Sequence, residues 1–172
     1  RDEWIRFFVE NNIKTDFIFG TYSQIGRKDY NTLFHLKYPF DMGGVYRKSI
    51  LLAFGEYVPL GPFSSFVLDL IPMIADFGRG PGPSLLNVKG VQMAPQICYE
   101  GIVPEHSRQG VALGADVLLN VTNDSWFGQG SEPWLHLLMT VFRTIELRRS
   151  LIRATNTGIS TIISMTGEMK YK

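Results

Sequence analysis

Apolar and polar positions recur along the chain with two different periods, and the switches between them mark out the elements. Residues 2–12 set Trp4, Ile5, Phe8 and Val9 at helical spacing, with Asp2 and Glu3 at the end where a helix favours negative charge. Residues 16–22 (DFIFGTY) predict a buried strand, 24–29 a polar turn, and 30–38 (YNTLFHLKY) a strand pairing back on the first. A loop over 39–44 leads into a short strand at 45–48 that ends in Lys48. Residues 62–77 carry a helical apolar pattern (Phe63, Phe66, Val67, Leu70, Ile71, Ile74), and Gly/Pro punctuation over 77–86 predicts a loop.

The second half alternates more regularly. Strands at 85–88 and 91–97 flank the Lys89-Gly90 turn, and a helix over about 104–113 opens on Pro104 and stops at Gly114. Residues 115–122 (ADVLLNVT) are almost continuously apolar, as in a strand covered on both faces. A polar loop at 123–130 (NDSWFGQG) precedes a helix over 133–149 whose apolar stripe is Trp134, Leu138, Val141, Phe142 and Ile145. Strands at 151–154 and 159–164 and a turn at 166–168 follow. More strands than helices, with helices long enough to cover a sheet, predict a layered α/β domain.

Composition narrows this picture. At 172 residues the chain suits one domain with a real core, and 45% hydrophobic against 19% charged residues argues for a folded chain. The net charge is +1 and the basic residues are scattered, so nucleic acid is not an expected partner. One cysteine excludes an internal disulfide framework and a cysteine-based zinc site. His35, His106 and His136 lack metal-ligand spacing, and neither metal nor cofactor is expected. Both ends look cut, so the chain is expected to be a piece of a larger protein.

Two positions draw chemical interest. Cys98 follows an apolar strand and precedes a glycine turn, where a thiol is carried on a rigid element and faces open space. Inert burial is the ordinary fate of a free cysteine, and Cys98 alone does not decide between the two. Glu56 lies among Leu51, Leu52, Phe54, Tyr57, Val58 and Leu60, and a carboxylate in such company needs a cation; Lys48 is eight residues away.

Six short motifs stand in series: YNT (30–32), YRK (46–48), FGEYVPL (54–60), ICYEGIVPE (97–105), NDSWFG (123–128) and RATNTGIS (153–160). Together they resemble the nitrilase superfamily and, within it, the catalytic domain of the apolipoprotein N-acyltransferase family. The resemblance implies an α-β-β-α layered sandwich, incomplete at both ends. It sets the nucleophile on Cys98, the catalytic lysine on Lys48, a supporting glutamate on Glu56, and a supporting Tyr-Glu pair on Tyr99 and Glu100. Glu56 and Glu100 are expected to keep Lys48 charged and aimed. No residue matches the family's proton-accepting glutamate, which precedes the first helix, and the family's membrane helices lie outside these residues; the piece alone is expected to be inactive.

The implied reaction moves a fatty acyl chain from a phospholipid to Cys98 as a thioester, then to the α-amine of the N-terminal diacylglyceryl-cysteine of an apolipoprotein. The implied location is the bacterial inner membrane, on its periplasmic side, reached through segments missing from this chain. Soluble amidases of the superfamily tend to have Asp and then Arg shortly after the cysteine, where this chain has Glu100 and Ile102. A soluble amidase and a non-catalytic scaffold remain as alternatives. Trp126 and Phe127 are either core or substrate-facing, with the loop setting favouring substrate. Asn123 and Asp124 are expected to shape a turn, and Arg148 and Arg149 to complement a helix dipole.

Overall fold

The computed structural model describes residues 2–64, 70, 75–125, 128 and 130–171. Its elements run α1 (Asp2–Glu10), β1 (Phe17–Ile25), β2 (Lys28–Lys37), β3 (Asp41–Arg47), β4 (Leu86–Val88), β5 (Val91–Ile97), α2 (Pro104–Ala112), β6 (Val117–Thr122), α3 (Glu132–Leu147), β7 (Ser150–Thr155), β8 (Thr161–Ile163) and β9 (Met169–Tyr171). Strands β1, β2 and β3 form an antiparallel sheet in that order. The other six form a second sheet in chain order, parallel across β5, β6 and β7 and antiparallel at both flanks. Parallel neighbours need a crossover, and α2 and α3 supply the two crossovers. The predicted helix over 62–77 falls largely outside the described residues.

The sheets are held face to face by Leu33, Tyr46, Leu86 and Leu119. On the far side of the larger sheet, Ala94, Leu118, Leu151 and Ile163 pack with Leu137 of α3. Strand β6 therefore sends Leu118 toward the helices and Leu119 toward the small sheet, both buried. Its apolar run has that cause, and truncating either leucine costs roughly 2–5 kcal/mol. Gly44 marks a close approach of the sheets, since a Cβ there would stand 2.6 Å from Leu86 Cδ2. That close approach also corrects the loop expected over 39–44: Met42, Gly43 and Gly44 belong to β3, and the glycines are there for contact.

Two further expectations fail for physical reasons. Strand β1 is not buried: it is an edge strand paired to β2 alone, and Phe19, Tyr22 and Ile25 are exposed. Of the apolar stripe predicted for α3, Val141 packs against the core, but the rest of the stripe faces the other way. Trp134, Leu138, Phe142 and Ile145 are exposed, while His136, Leu137, Thr140, Arg143 and Thr144 face inward. Inward polar groups find partners there: Thr140 and Thr144 donate to the Leu137 and Val141 carbonyls, and Arg143 donates to the Ile102 carbonyl at 3.1 Å. Among the described residues no helix is long and apolar enough to cross a membrane.

Candidate active site

Strand β5 ends at Ile97, and Cys98 opens a 3-10 turn over Cys98–Ile102. Its φ is +52°, a left-handed conformation that costs a non-glycine residue roughly 1–3 kcal/mol unless its surroundings enforce it. They do so from two sides. Glu100 Oε2 accepts from Ile97 N–H at 2.8 Å, and Asn120 Nδ2 donates to the Cys98 carbonyl at 3.3 Å. The thiol is free and half-buried. Tyr99 follows in the same turn, also half-buried.

Lys48 stands one residue past β3, its N–H donating to the Asn31 carbonyl at 2.9 Å and its own carbonyl accepting from Gly80 N–H at 2.7 Å. The side chain is buried, and Nζ donates to Glu56 Oε2 at 2.6 Å. Glu56 also accepts from Leu52 N–H at 2.8 Å and from the Asn31 amide. A largely buried carboxylate thus has its cation and two further donors, which is what burial demands.

Glu100 departs from the expectation that it aims Lys48. Its Oε1 accepts from Ser49 N–H at 2.7 Å, Ile50 N–H at 3.0 Å, Ser49 Oγ at 3.0 Å and the Tyr46 hydroxyl at 2.8 Å. Together with the Oε2 bond to Ile97, one fully buried carboxylate binds the main chain just after Lys48 and just before Cys98. The Lys48 ammonium pairs with Glu56 instead. Burial and the adjacent Glu100 push the Tyr46 phenol far above its ordinary pKa, so it stays a donor. His106 Nε2 lies 3.2 Å from the same hydroxyl.

A second polar cluster lies behind the cysteine turn, and sequence reasoning missed it. Asp124, expected to shape a turn, is buried and pairs with Arg153 Nη2 at 2.9 Å and His136 Nδ1 at 2.9 Å. Arg153 also donates to Asn120 Oδ1. Burial and the guanidinium push His136 below its ordinary pKa, against the opposing pull of Asp124 and the Cys98 backbone. Burial likewise lowers Arg153, with Asp124 and Cys98 favouring its charge. Asn123 alone keeps the turn role, accepting from Ser125 N–H at 3.0 Å. Arg149 does more than face a dipole: its Nε donates to the Ala115 carbonyl at 2.8 Å, tying the end of α3 to the start of β6.

The missed residues had a signal in the motif strings themselves: Asn31 in YNT, Tyr46 in YRK, Asp124 in NDSWFG and Arg153 in RATNTGIS. His106, His136 and Asn120 had none. Each histidine has a neighbour of its own, His35 with Asp16 at 3.1 Å and the other two as above, so they are dispersed. Trp126 and Phe127 fall outside the described residues. A recess of about 410 Å³ lined by Lys14, Asp16, Lys37, Tyr38, Asn87 and Lys89 sits at the opposite end of β5 from Cys98 and is separate from this site.

Residues 11–171 match the carbon-nitrogen hydrolase family model. The chain is 45% identical to the apolipoprotein N-acyltransferase of Bdellovibrio bacteriovorus, covering 90% of this chain and 30% of that protein. It is 42% identical to the enzyme of that name from Geobacter metallireducens, covering 83% of this chain and 27% of that protein. The chain thus spans less than a third of the length of these relatives. Its fold is similar to a carbon-nitrogen hydrolase from Helicobacter pylori G27, with TM-score 0.71, 16% identity, and coverage of 98% of this chain and 61% of the other. A mutant of the Nesterenkonia AN1 amidase, from the nitrilase superfamily, gives TM-score 0.68 at 19% identity, covering 98% and 61%.

Proposed function

This chain belongs to the carbon-nitrogen hydrolase family, and on that premise we propose that it carries the thiol of an apolipoprotein N-acyltransferase. The substrates are a phospholipid acyl donor and the N-terminal diacylglyceryl-cysteine of a bacterial apolipoprotein. Cys98 is the nucleophile: its sulfur bonds to the acyl carbonyl carbon, the ester C–O bond breaks, and the lysophospholipid leaves as an alcohol with a proton. The acceptor amine then forms the amide bond as the C–S bond breaks and returns the thiol. Lys48 holds the oxyanion formed at each attack, helped by the Tyr99 N–H. Glu56 holds Lys48 in place through its 2.6 Å contact with Nζ. The proton acceptor called for by the resemblance matches no residue here, and none is assigned. The domain is proposed to work at the periplasmic side of the inner membrane.

One observation carries this reading. Glu100 joins the main chain after Lys48 to the main chain before Cys98, which supports an ammonium and a thiol opening on one cleft despite the long stretch of chain between them. The 45% identity to a named N-acyltransferase favours acyl transfer over amide hydrolysis. The test is Cys98→Ala in the full-length protein incubated with phospholipid. Wild type is expected to gain an acyl mass on the peptide containing residue 98, and the variant to lose it. An adduct that persists in the variant rules out this nucleophile, and ammonia release from small amides without acyl transfer favours an amidase.

A further inference from the structure

The turn that carries the thiol has a second support besides Glu100, and it is built from residues outside the catalytic set. Asn120 is fully buried at the centre of β6, beside β5. Its Nδ2 faces two carbonyls of the neighbouring strand end, Gln96 at 3.4 Å and Cys98 at 3.3 Å. Its Oδ1 accepts from Arg153 Nη1, which fixes the amide's orientation, since only the nitrogen is left to meet the carbonyls. Arg153 is held in turn by Asp124 at 2.9 Å, and both are buried. Space for the amide comes from Gly101, where a Cβ would stand 2.7 Å from Asn120 Nδ2.

We propose that Asn120 is a positioning residue for the nucleophile: oriented by the Arg153–Asp124 pair, its amide pins the Cys98 carbonyl and so keeps the left-handed turn that aims the sulfur. Arg153 and Asp124 act through Asn120, and Gly101 is the gap that lets the amide in. Removing a main-chain anchor beside the nucleophile misplaces the attacking atom and leaves the substrate surface alone. The loss therefore falls on turnover and spares affinity.

This inference rests on Cys98 being the acyl acceptor, and the experiment separates the two. In the full-length protein, acyl transfer from phospholipid to a diacylated lipopeptide is measured for wild type, Cys98→Ala, Asn120→Asp and Gly101→Ala, with the melting temperature of each. Asn120→Asp keeps the oxygen that Arg153 holds and replaces the donor with a second oxygen that repels the Cys98 carbonyl. Gly101→Ala displaces the amide without changing charge. Both are expected to lower kcat by roughly 10²-fold or less, with KM for the acyl donor within about twofold of wild type. A merely structural role would lower the melting temperature and leave kcat per folded molecule unchanged, and that result overturns the inference. If Asn120→Asp does not fold, Gly101→Ala decides by the same kcat and KM criterion. Full activity in Cys98→Ala overturns the nucleophile reading; inactive Cys98→Ala beside fully active Asn120→Asp and Gly101→Ala overturns the positioning role alone.

Discussion

Two buried ion pairs flank the cysteine turn, and they differ in how completely they are shut in. Arg153–Asp124 is closed, with both side chains at 0% exposure and further partners in Asn120 and His136. Lys48–Glu56 is open by comparison, the lysine at 1% and the glutamate at 15%. A closed pair made of a forked guanidinium suits fixed geometry, whereas an ammonium on a flexible stem can serve a charge that comes and goes. Burial of charge is therefore no guide by itself to chemistry. The pair with an outlet is the one proposed to touch the reaction.

That contrast breaks first at Arg153. Arg153→Ala strands the Asp124 carboxylate and should destabilise the fold by roughly 3–5 kcal/mol in urea titrations, with Arg153→Ala/Asp124→Ala recovering some of the loss. Lys48→Ala should do the reverse, cutting thioester formation by about 10²–10³-fold while the melting temperature moves far less. Equal effects on stability from both variants would erase the distinction between the pairs. Glu56→Gln keeps the shape and removes the counter-charge, so acylation should fall by roughly 10–100-fold.

The smallest effect is one of pH. His136 has its pKa lowered in the folded state by burial and by Arg153, against the opposing influence of Asp124. Between that value and the ordinary histidine pKa near 6.5, the unfolded chain binds a proton that the folded chain refuses. The contribution is present above about pH 6.5 and is lost as pH falls. Urea midpoints should drop between about pH 7.5 and about pH 5.5, and His136→Gln should flatten that drop.

The strand ladder was legible because β-strands announce themselves by composition, and β5, β6 and the turn between Val88 and Val91 came through from pattern alone. The Lys48–Glu56 contact was legible too, because a carboxylate among leucines has few places to go. Helix α3 was misjudged for a reason of the same kind. Amphipathic reading assumes that polar groups seek water, and here Thr140, Thr144, Arg143 and His136 find carbonyls and carboxylates inside instead. The Asn120–Arg153–Asp124 chain draws on β6, β7 and the loop after β6, and has no periodicity to betray it.

Glu100 is a keystone whose removal would loosen both walls at once, because the same side chain grips the small sheet's exit and the large sheet's tip. Docking of the sheets and seating of the cysteine turn thus share one side chain. Loss of the Glu100 carboxylate would therefore weaken the seat of residues 49 and 50 and the entry to the Cys98 turn together.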